Sequence, residues 1–160
     1  MEYGCQQIAL KSETTDLAII EYLCGEANKL HNCGVFLTRQ VLFKAHRWLS
    51  RFDLNNQLRT HPHYRSVAAQ AAQQVLGSVY ESFQSYRELN KRYQQGELAR
   101  KPRLPRYRKP GLHAIAFPKQ AIKLEGNRVR LPLGNQVRVW YRPTQRPNPA
   151  IVPTLWHSFC

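Results

Sequence analysis

One basic stretch punctuated by prolines, residues 100–110, constrains the fold of this chain more than any other feature. It contains three prolines and six lysine or arginine residues. Proline has no backbone N–H donor and holds φ at about −65°, which excludes a helix or a central strand and predicts an extended connector. Apolar residues before this stretch recur every three or four positions, whereas those after it alternate. The connector is therefore expected to separate a helical part from a strand part.

The helical part contains three amphipathic segments separated by polar breaks. Their apolar residues fall at spacings of three and four, which places them on one face of each helix. The predicted segments are residues 17–30, 37–52 and 68–89, with breaks at 32–34 and 53–63. Ser66 is the predicted N-cap of the third and longest helix. A helical bundle is the expected result.

Residues 122–131 predict a tight β-hairpin that turns at Gly126-Asn127. Pairing proceeds symmetrically from a two-residue turn, so the register follows from the sequence. The predicted pairs are Glu125 with Arg128, Leu124 with Val129, Lys123 with Arg130, and Ile122 with Leu131. The apolar members, Ile122, Leu124, Val129 and Leu131, are expected to form the buried face. Lys123 opposite Arg130 is a like-charge pair that opposes folding unless an anion lies over it.

Together these assignments predict an α+β fold, in which a helical bundle is inserted between an N-terminal strand and a small C-terminal antiparallel β-sheet or partial barrel. A third strand, with Val137, Val139 and Tyr141 inward, is expected to join the hairpin. The predicted organisation is a first strand at residues 1–12, a helical lobe at 13–98, the connector at 99–112, returning strands at 113–142 and a proline-rich tail at 143–160.

The charge distribution points to an anionic partner. The chain carries 24 Lys/Arg against 10 Asp/Glu, a formal net charge of +14. Residues 91–160 hold 15 of the basic residues and only two acids, Glu97 and Glu125. Such an asymmetry favours RNA, DNA or an anionic membrane surface as the partner. No apolar run reaches the length of a membrane span and the first residues lack the features of a signal peptide, so we expect a cytoplasmic protein without a membrane partner.

Two groups of side chains are the candidate nucleic-acid contacts. In the connector they are Arg103, Arg106, Tyr107, Arg108 and Lys109. On the outward face of the strands they are Lys123, Arg128, Arg130, Arg138, Trp140 and Arg142. Lys and Arg bind phosphates, and a Trp ring or an arginine plane offers a surface on which a base stacks. A linker and a strand face that are merely solvated are the alternative, although a solvated face usually mixes charge signs.

The spacing of cysteines and histidines predicts neither a zinc ribbon nor a redox pair. None of the four cysteines forms a Cys-x-x-Cys pair, and four reduced thiols are expected in a chain without a secretion signal. His61-Pro62-His63 could ligate a metal only with partners from elsewhere in the chain, and a polar turn is the favoured interpretation. No metal, other cofactor or small-molecule substrate is expected.

In the order of their motifs, residues 3–142 resemble the N-terminal part of the TnpB (OrfB) proteins of insertion sequences, compact RNA-guided nucleases related to type V CRISPR effectors. The similarity includes a helix containing Asn32, the segment Gln73-Gln74-Val75-Leu76 and the run Leu104-Pro105-Arg106-Tyr107-Arg108. It continues at Ile122-Lys123-Leu124, Gly126-Asn127, Val129-Arg130-Leu131-Pro132, Gly134 and Val137-Arg138-Val139. The order and spacing of these motifs, more than any one of them, carry the resemblance.

The resemblance implies a wedge barrel built by the first and returning strands and a recognition lobe built by the helices. Both would hold a guide RNA and its RNA–DNA heteroduplex, with sequence read by base pairing. The family cuts DNA with three carboxylates that bind two Mg²⁺ ions on a following nuclease domain. Glu97 and Glu125 do not reproduce that site, and the family's zinc-binding Cys pairs are missing. We therefore expect a truncated or split product that is not itself an enzyme, with a separately encoded nuclease portion as a candidate partner.

A second interpretation is a stand-alone regulator of a mobile element that binds duplex DNA. It would use the basic side chains of the second helical segment and its end: Arg39, Lys44, Arg47 and Arg51. Reading the major groove requires two or three side chains on base edges, and no such set is distinct in the sequence. A third interpretation, an active enzyme, lacks a carboxylate cluster or a recognisable nucleophile–base arrangement.

Overall fold

In the part of the chain that the structure describes, the helices come first and the strands last. The computed structural model describes residues 14–126, 128–135, 137 and 150–151. The helices are α1 (Thr14–Ala45), α2 (Arg51–Leu58), α3 (Pro62–Ser66) and α4 (Ala69–Gln94), and a single 3₁₀ turn follows at Lys119–Ala121. The strands are β1 (Lys123–Glu125), β2 (Arg128–Arg130) and β3 (Ala150–Ile151). The predicted α+β class is confirmed, while the expected N-terminal strand at residues 1–12 lies outside the described residues.

Helix α1 runs without interruption through residues 32–34, so the predicted break there is wrong. Asn32, a weak helix former, bonds through its side chain to the distant backbone of Arg108. Gly34 lies against α4, where an added Cβ would come within 3.0 Å of Leu76 and 3.2 Å of Val79. Tertiary contacts therefore stabilise a helix that local propensity alone disfavours.

The second predicted helical segment is divided between two helices. His46, with φ of 49°, follows the end of α1, and Ser50 caps α2 by accepting a hydrogen bond from the backbone N–H of Asp53 at 3.0 Å. This restart rotates Phe52 out of the core, and its side chain is 73% exposed. The predicted polar break at residues 53–63 is also wrong, because α2 continues to Leu58 and α3 begins at Pro62.

The main core lies where α4 packs against α1, α2 and α3. Its fully buried side chains include Leu30 and Val35 of α1, Leu54 of α2, and Leu76 and Val79 of α4. The predicted apolar stripe of the long helix is thus confirmed over most of its length. None of the helices in the described part of the chain is long and apolar enough to span a bilayer.

Ser66 does not cap the long helix as predicted. It is the last residue of α3, where its hydroxyl donates to the carbonyl of Pro62 at 2.9 Å. Ala68 occupies the N-cap position of α4 and makes no side-chain capping bond. The hydroxyl thus bonds a carbonyl of the preceding short helix, four residues back, and not the first N–H groups of α4.

The hairpin has the register that its turn predicts. Lys123 pairs with Arg130, Leu124 with Val129, and Glu125 with Arg128. The expected buried face is only partly formed, since Leu124 is 76% exposed and nothing in the two short strands covers it. The predicted third strand, 137–142, lies outside the described residues except for Val137. Residues of the tail supply β3, which pairs antiparallel with β2 and places Ile151 opposite Val129.

A second, smaller core fixes the strand part to the helices. Leu133 and Val137 are buried against Leu23 of α1. Gly134 approaches the backbone of residues 66–67 so closely that a Cβ there would overlap it. Any side chain at position 134 would force these segments apart, so the glycine is required for this contact.

Candidate nucleic-acid interface

The connector is extended, as the sequence predicts, and residues 101–109 form neither helix nor strand. An extended chain has no internal hydrogen bonds for its backbone N–H and C=O groups, so they need partners from elsewhere. The connector also has an apolar contact with the helical part, because the Leu104 side chain packs against the main core. The connector is therefore attached to the helical part and is not a loose linker.

Helix α1 supplies the partners of the connector backbone. Asn32 makes two reciprocal bonds with Arg108: its Nδ2 donates to the Arg108 carbonyl at 3.0 Å, and the Arg108 N–H donates to its Oδ1 at 2.8 Å. One turn earlier, Nδ2 of Asn28 donates to the carbonyls of Lys109 at 2.9 Å and Gly111 at 3.1 Å. These bonds fix the C-terminal half of the connector.

Arg39 fixes the N-terminal half. Its Nε and Nη2 both donate to the carbonyl of Pro105, at 3.1 and 2.6 Å. The same guanidinium lies 5.0 Å from the centre of the Tyr107 ring, a cation–π distance. Asn28, Asn32 and Arg39 are spaced by four and seven residues, which places them on one face of α1. We call these three residues the α1 clamp.

The α1 clamp binds backbone groups and leaves the basic side chains of the connector to the outside. Arg103, Arg106 and Lys109 are exposed, and the Tyr107 side chain is 47% exposed although Arg39 lies against its ring. Arg108 is half-buried, and burial lowers the pKa of its guanidinium. Of the five predicted connector contacts, four are therefore presented to solvent and one is partly covered.

Beside the clamp, His31 is a buried neutral group. Burial, together with the nearby positive charge of Arg108, lowers the pKa of this histidine to about 4. At neutral pH it therefore adds no positive charge beside the connector.

The strand residues form the second group of candidate contacts. Lys123 is exposed and lies directly across from Arg130 on the paired strand. The anion that this like-charge pair requires is supplied from within the hairpin, since Nη1 of Arg130 donates to Oε1 of Glu125 at 3.2 Å. The strand position of Arg128 is described but its side chain is not. Three further predicted contacts lie outside the described residues: Arg138, Trp140 and Arg142.

Sequence reasoning missed the α1 clamp. It assigned Arg39 to a DNA-binding helix face and gave Asn28 no role. The available signal was two asparagines four residues apart inside a helix, where Asn is unfavourable without a specific partner. What it could not supply is the identity of that partner, which lies 76 or more residues away in the chain.

Comparison of the chain with models of known protein families gives no match, and neither does comparison with curated proteins.

Proposed function

We propose that this chain binds RNA, and the hybrid that RNA forms with DNA, through the connector and the hairpin. The observation that supports this most strongly is the α1 clamp, which holds the connector by its backbone while Arg103, Arg106 and Lys109 are left exposed. A merely solvated linker has no need of such fixation. A phosphate-binding strip benefits from it.

Fixation matters because ordering a flexible chain on a ligand is costly. Restricting the backbone of one residue costs about 1–2 kcal/mol. In this chain that cost is met during folding by the hydrogen bonds from α1, so binding of a polyanion needs to order only the long side chains. Pre-organisation of this kind raises affinity without adding contacts.

The chemistry of the exposed groups favours single-stranded or hybrid nucleic acid over a specific duplex. Arg and Lys bind phosphates without regard to sequence, and the half-exposed Tyr107 ring offers an aromatic surface for a base. Base-edge readout of a duplex needs a helix or ribbon that enters the major groove, whereas the connector is an extended strip lying on a helix. Sequence would then be read by pairing between nucleic-acid strands.

Within this proposal, the chain is the recognition and wedge portion of a TnpB-like protein and acts in the cytoplasm. Cleavage of phosphodiester bonds would depend on a separate nuclease portion, because residues 91–160 hold only two acids, Glu97 and Glu125. Both acids are exposed and pair with arginines, Glu97 with Arg92 at 2.8 Å and Glu125 with Arg130 at 3.2 Å. Such an arrangement serves charge balance and not metal binding.

A duplex-binding regulator is the second candidate function, and one observation favours it. Lys44 and Arg47 are exposed at the end of α1. Arg51 is exposed as well, with its guanidinium beside Gly77 of α4. Arg39, in contrast, belongs to the α1 clamp, and its guanidinium is bonded to the connector.

The experiment that separates the two candidates compares two sets of neutralising substitutions in the full chain. Arg103→Gln/Arg106→Gln/Lys109→Gln removes three exposed charges whose side chains take no part in the α1 clamp. Lys44→Gln/Arg47→Gln removes the charges at the end of α1. We expect the first variant to lose most of its affinity for single-stranded RNA and the second to retain it. Loss of duplex-DNA binding in the second variant alone would contradict the proposal.

A further inference from the structure

Three potential metal ligands from distant parts of the chain converge beside α1. The sulfur of Cys33 and one ring nitrogen each of His61 and His63 lie within 4.8 Å of one another, and the Cys33 Sγ to His61 Nε2 distance is 3.8 Å. In a tetrahedral zinc site, with Zn–S of about 2.3 Å and Zn–N of about 2.0–2.1 Å, neighbouring ligand atoms are about 3.5 Å apart. The Cys33–His61 distance is close to that value, whereas the 4.8 Å limit for the whole cluster is wider, so metal binding requires the side chains to move closer together.

The fold orients the two histidines before any metal is present. His61 is the N-cap of α3, and its Nδ1 accepts a hydrogen bond from the backbone N–H of His63 at 3.3 Å. Pro62, at the first helical position, holds the short segment between them in its turn. Because Nδ1 accepts this bond, the proton of the neutral His61 ring is on Nε2, the nitrogen that faces Cys33. Metal binding through Nε2 therefore requires the ring proton to move to Nδ1, and the 3.3 Å bond from the His63 N–H is given up.

A buried carboxylate completes the arrangement. Glu26 is only 5% exposed, and its Oε2 lies 2.7 Å from Nδ1 of His63, while its Oε1 accepts from Lys29 at 2.8 Å. Glu26 precedes Cys33 by seven residues, two turns of α1, so both project from the same side of the helix. A carboxylate bonded to the second nitrogen of a histidine is the usual outer partner in zinc sites, where it fixes the ring and raises its basicity.

We propose that Cys33, His61 and His63 bind one zinc-class divalent ion, with Glu26 holding His63 in position and the fourth coordination place open to water or to an outside ligand. One sulfur and two imidazoles form a donor set that selects zinc over magnesium or calcium. The sequence alone favoured a polar turn at His61-Pro62-His63, because Cys33 lies 28 residues from His61 and only the fold brings them together.

The ion would link the turn between α2 and α3 to the middle of α1. At about 100° per residue, the side of α1 that carries Glu26 and Cys33 is roughly opposite the side that carries Asn28 and Asn32. Metal binding and connector binding therefore use different faces of one helix. The proposal for the metal does not depend on the proposed nucleic-acid function.

The test uses the full chain, stripped with a chelator under reducing conditions and titrated with Co²⁺ as a spectroscopic substitute for Zn²⁺. We expect one equivalent to bind with a thiolate-to-cobalt charge-transfer band, and Zn²⁺ to displace it. Cys33→Ser should abolish the band, whereas Cys24→Ser, which alters another half-buried thiol of the same helix, should leave it intact. Glu26→Gln should weaken binding by about 10- to 100-fold.

A band that survives in Cys33→Ser, or the absence of saturable binding, would overturn the proposal. Either result would mean that Cys33 and His61 share a hydrogen bond, and that His63 pairs with Glu26, without a metal. Zinc X-ray absorption on the unaltered protein gives a second measurement that does not depend on variants folding. One sulfur and two imidazole nitrogens in the first shell are expected, and two or more sulfurs would equally overturn the proposal.

Discussion

The side chain of Asn32 and the backbone of Arg108, 76 residues apart, exchange two hydrogen bonds, one in each direction, at 3.0 and 2.8 Å. A primary amide carries the same donor and acceptor as a peptide group. The Asn32 side chain therefore makes the hydrogen bonds that a neighbouring β-strand would make to the backbone of Arg108. The connector backbone is thus paired with a side chain of a helix. Because these bonds form when the chain folds, they fix the connector backbone that carries the basic side chains before any ligand binds.

Asn32→Ala should release the connector without changing any charge. The N–H and C=O of Arg108 are part-buried, and leaving such groups unpaired costs about 1–3 kcal/mol. Hydrogen exchange of the Arg108 amide reports the loss directly, and we expect its protection to disappear. Asn56→Ala, an exposed asparagine of α2, is the matched control. Unchanged protection in Asn32→Ala would show that the pair does not hold the connector.

Arg39→Lys should loosen the N-terminal half of the connector although the charge is kept. A lysine cannot reproduce the two guanidinium donors that converge on the Pro105 carbonyl while the same group lies 5.0 Å from the centre of the Tyr107 ring. Limited digestion with trypsin at Arg106 should accelerate relative to the parent protein. Arg47→Lys, an exposed residue just beyond α1, should leave the rate unchanged. Equal rates for both variants would contradict the role given to Arg39.

Glu125→Gln should increase RNA affinity. The substitution removes a negative charge that competes with phosphate for Arg130, and an exposed ion pair of this kind is worth at most about 1 kcal/mol, so the gain should reach about fivefold at most. Glu97→Gln breaks a comparably exposed pair with Arg92, neither of which is a proposed nucleic-acid contact, and provides the control. Filter binding at fixed salt measures both variants. A gain in the control variant of the same size would indicate a general charge effect.

Two leucine substitutions test the described core. Leu76→Ala removes a fully buried side chain between α4 and α1 and should lower the free energy of unfolding by about 2–5 kcal/mol. Leu124→Ala, at a residue that alternation predicts to be inward but that is 76% exposed, should change it by less than about 0.5 kcal/mol. Urea denaturation followed by circular dichroism measures the difference. A large loss in Leu124→Ala would mean that the hairpin face is covered in solution.

Local chemistry predicts part of this structure well. The Lys123–Arg130 register follows from the two-residue turn alone, because such a turn admits only symmetric pairing. The extended connector follows from its prolines. Helix α1 could not be predicted in full, since the contacts that carry it through Asn32 and Gly34 come from Arg108 and α4. Tertiary contacts outweigh local propensity at these positions.

The candidate site divides in the same way. The identity of the basic residues is visible in the sequence, and so is their concentration after residue 90. The fixation of the connector by Asn28, Asn32 and Arg39 is not visible, because the sequence does not show which residues from distant parts of the chain are in contact. The convergence of Cys33 with His61 escaped prediction for the same reason.

RNA binding through a connector held in place by α1 is best tested by the salt dependence of single-stranded RNA affinity in the parent protein and two variants. Each phosphate contact adds about 0.7 to the slope of log K against log salt. We expect Arg103→Gln/Arg106→Gln/Lys109→Gln to lower this slope by about 2. We expect Asn32→Ala to keep the slope but to bind about tenfold more weakly, because the connector must then be ordered on binding. Identical slopes and affinities in all three proteins would show that the connector does not bind RNA.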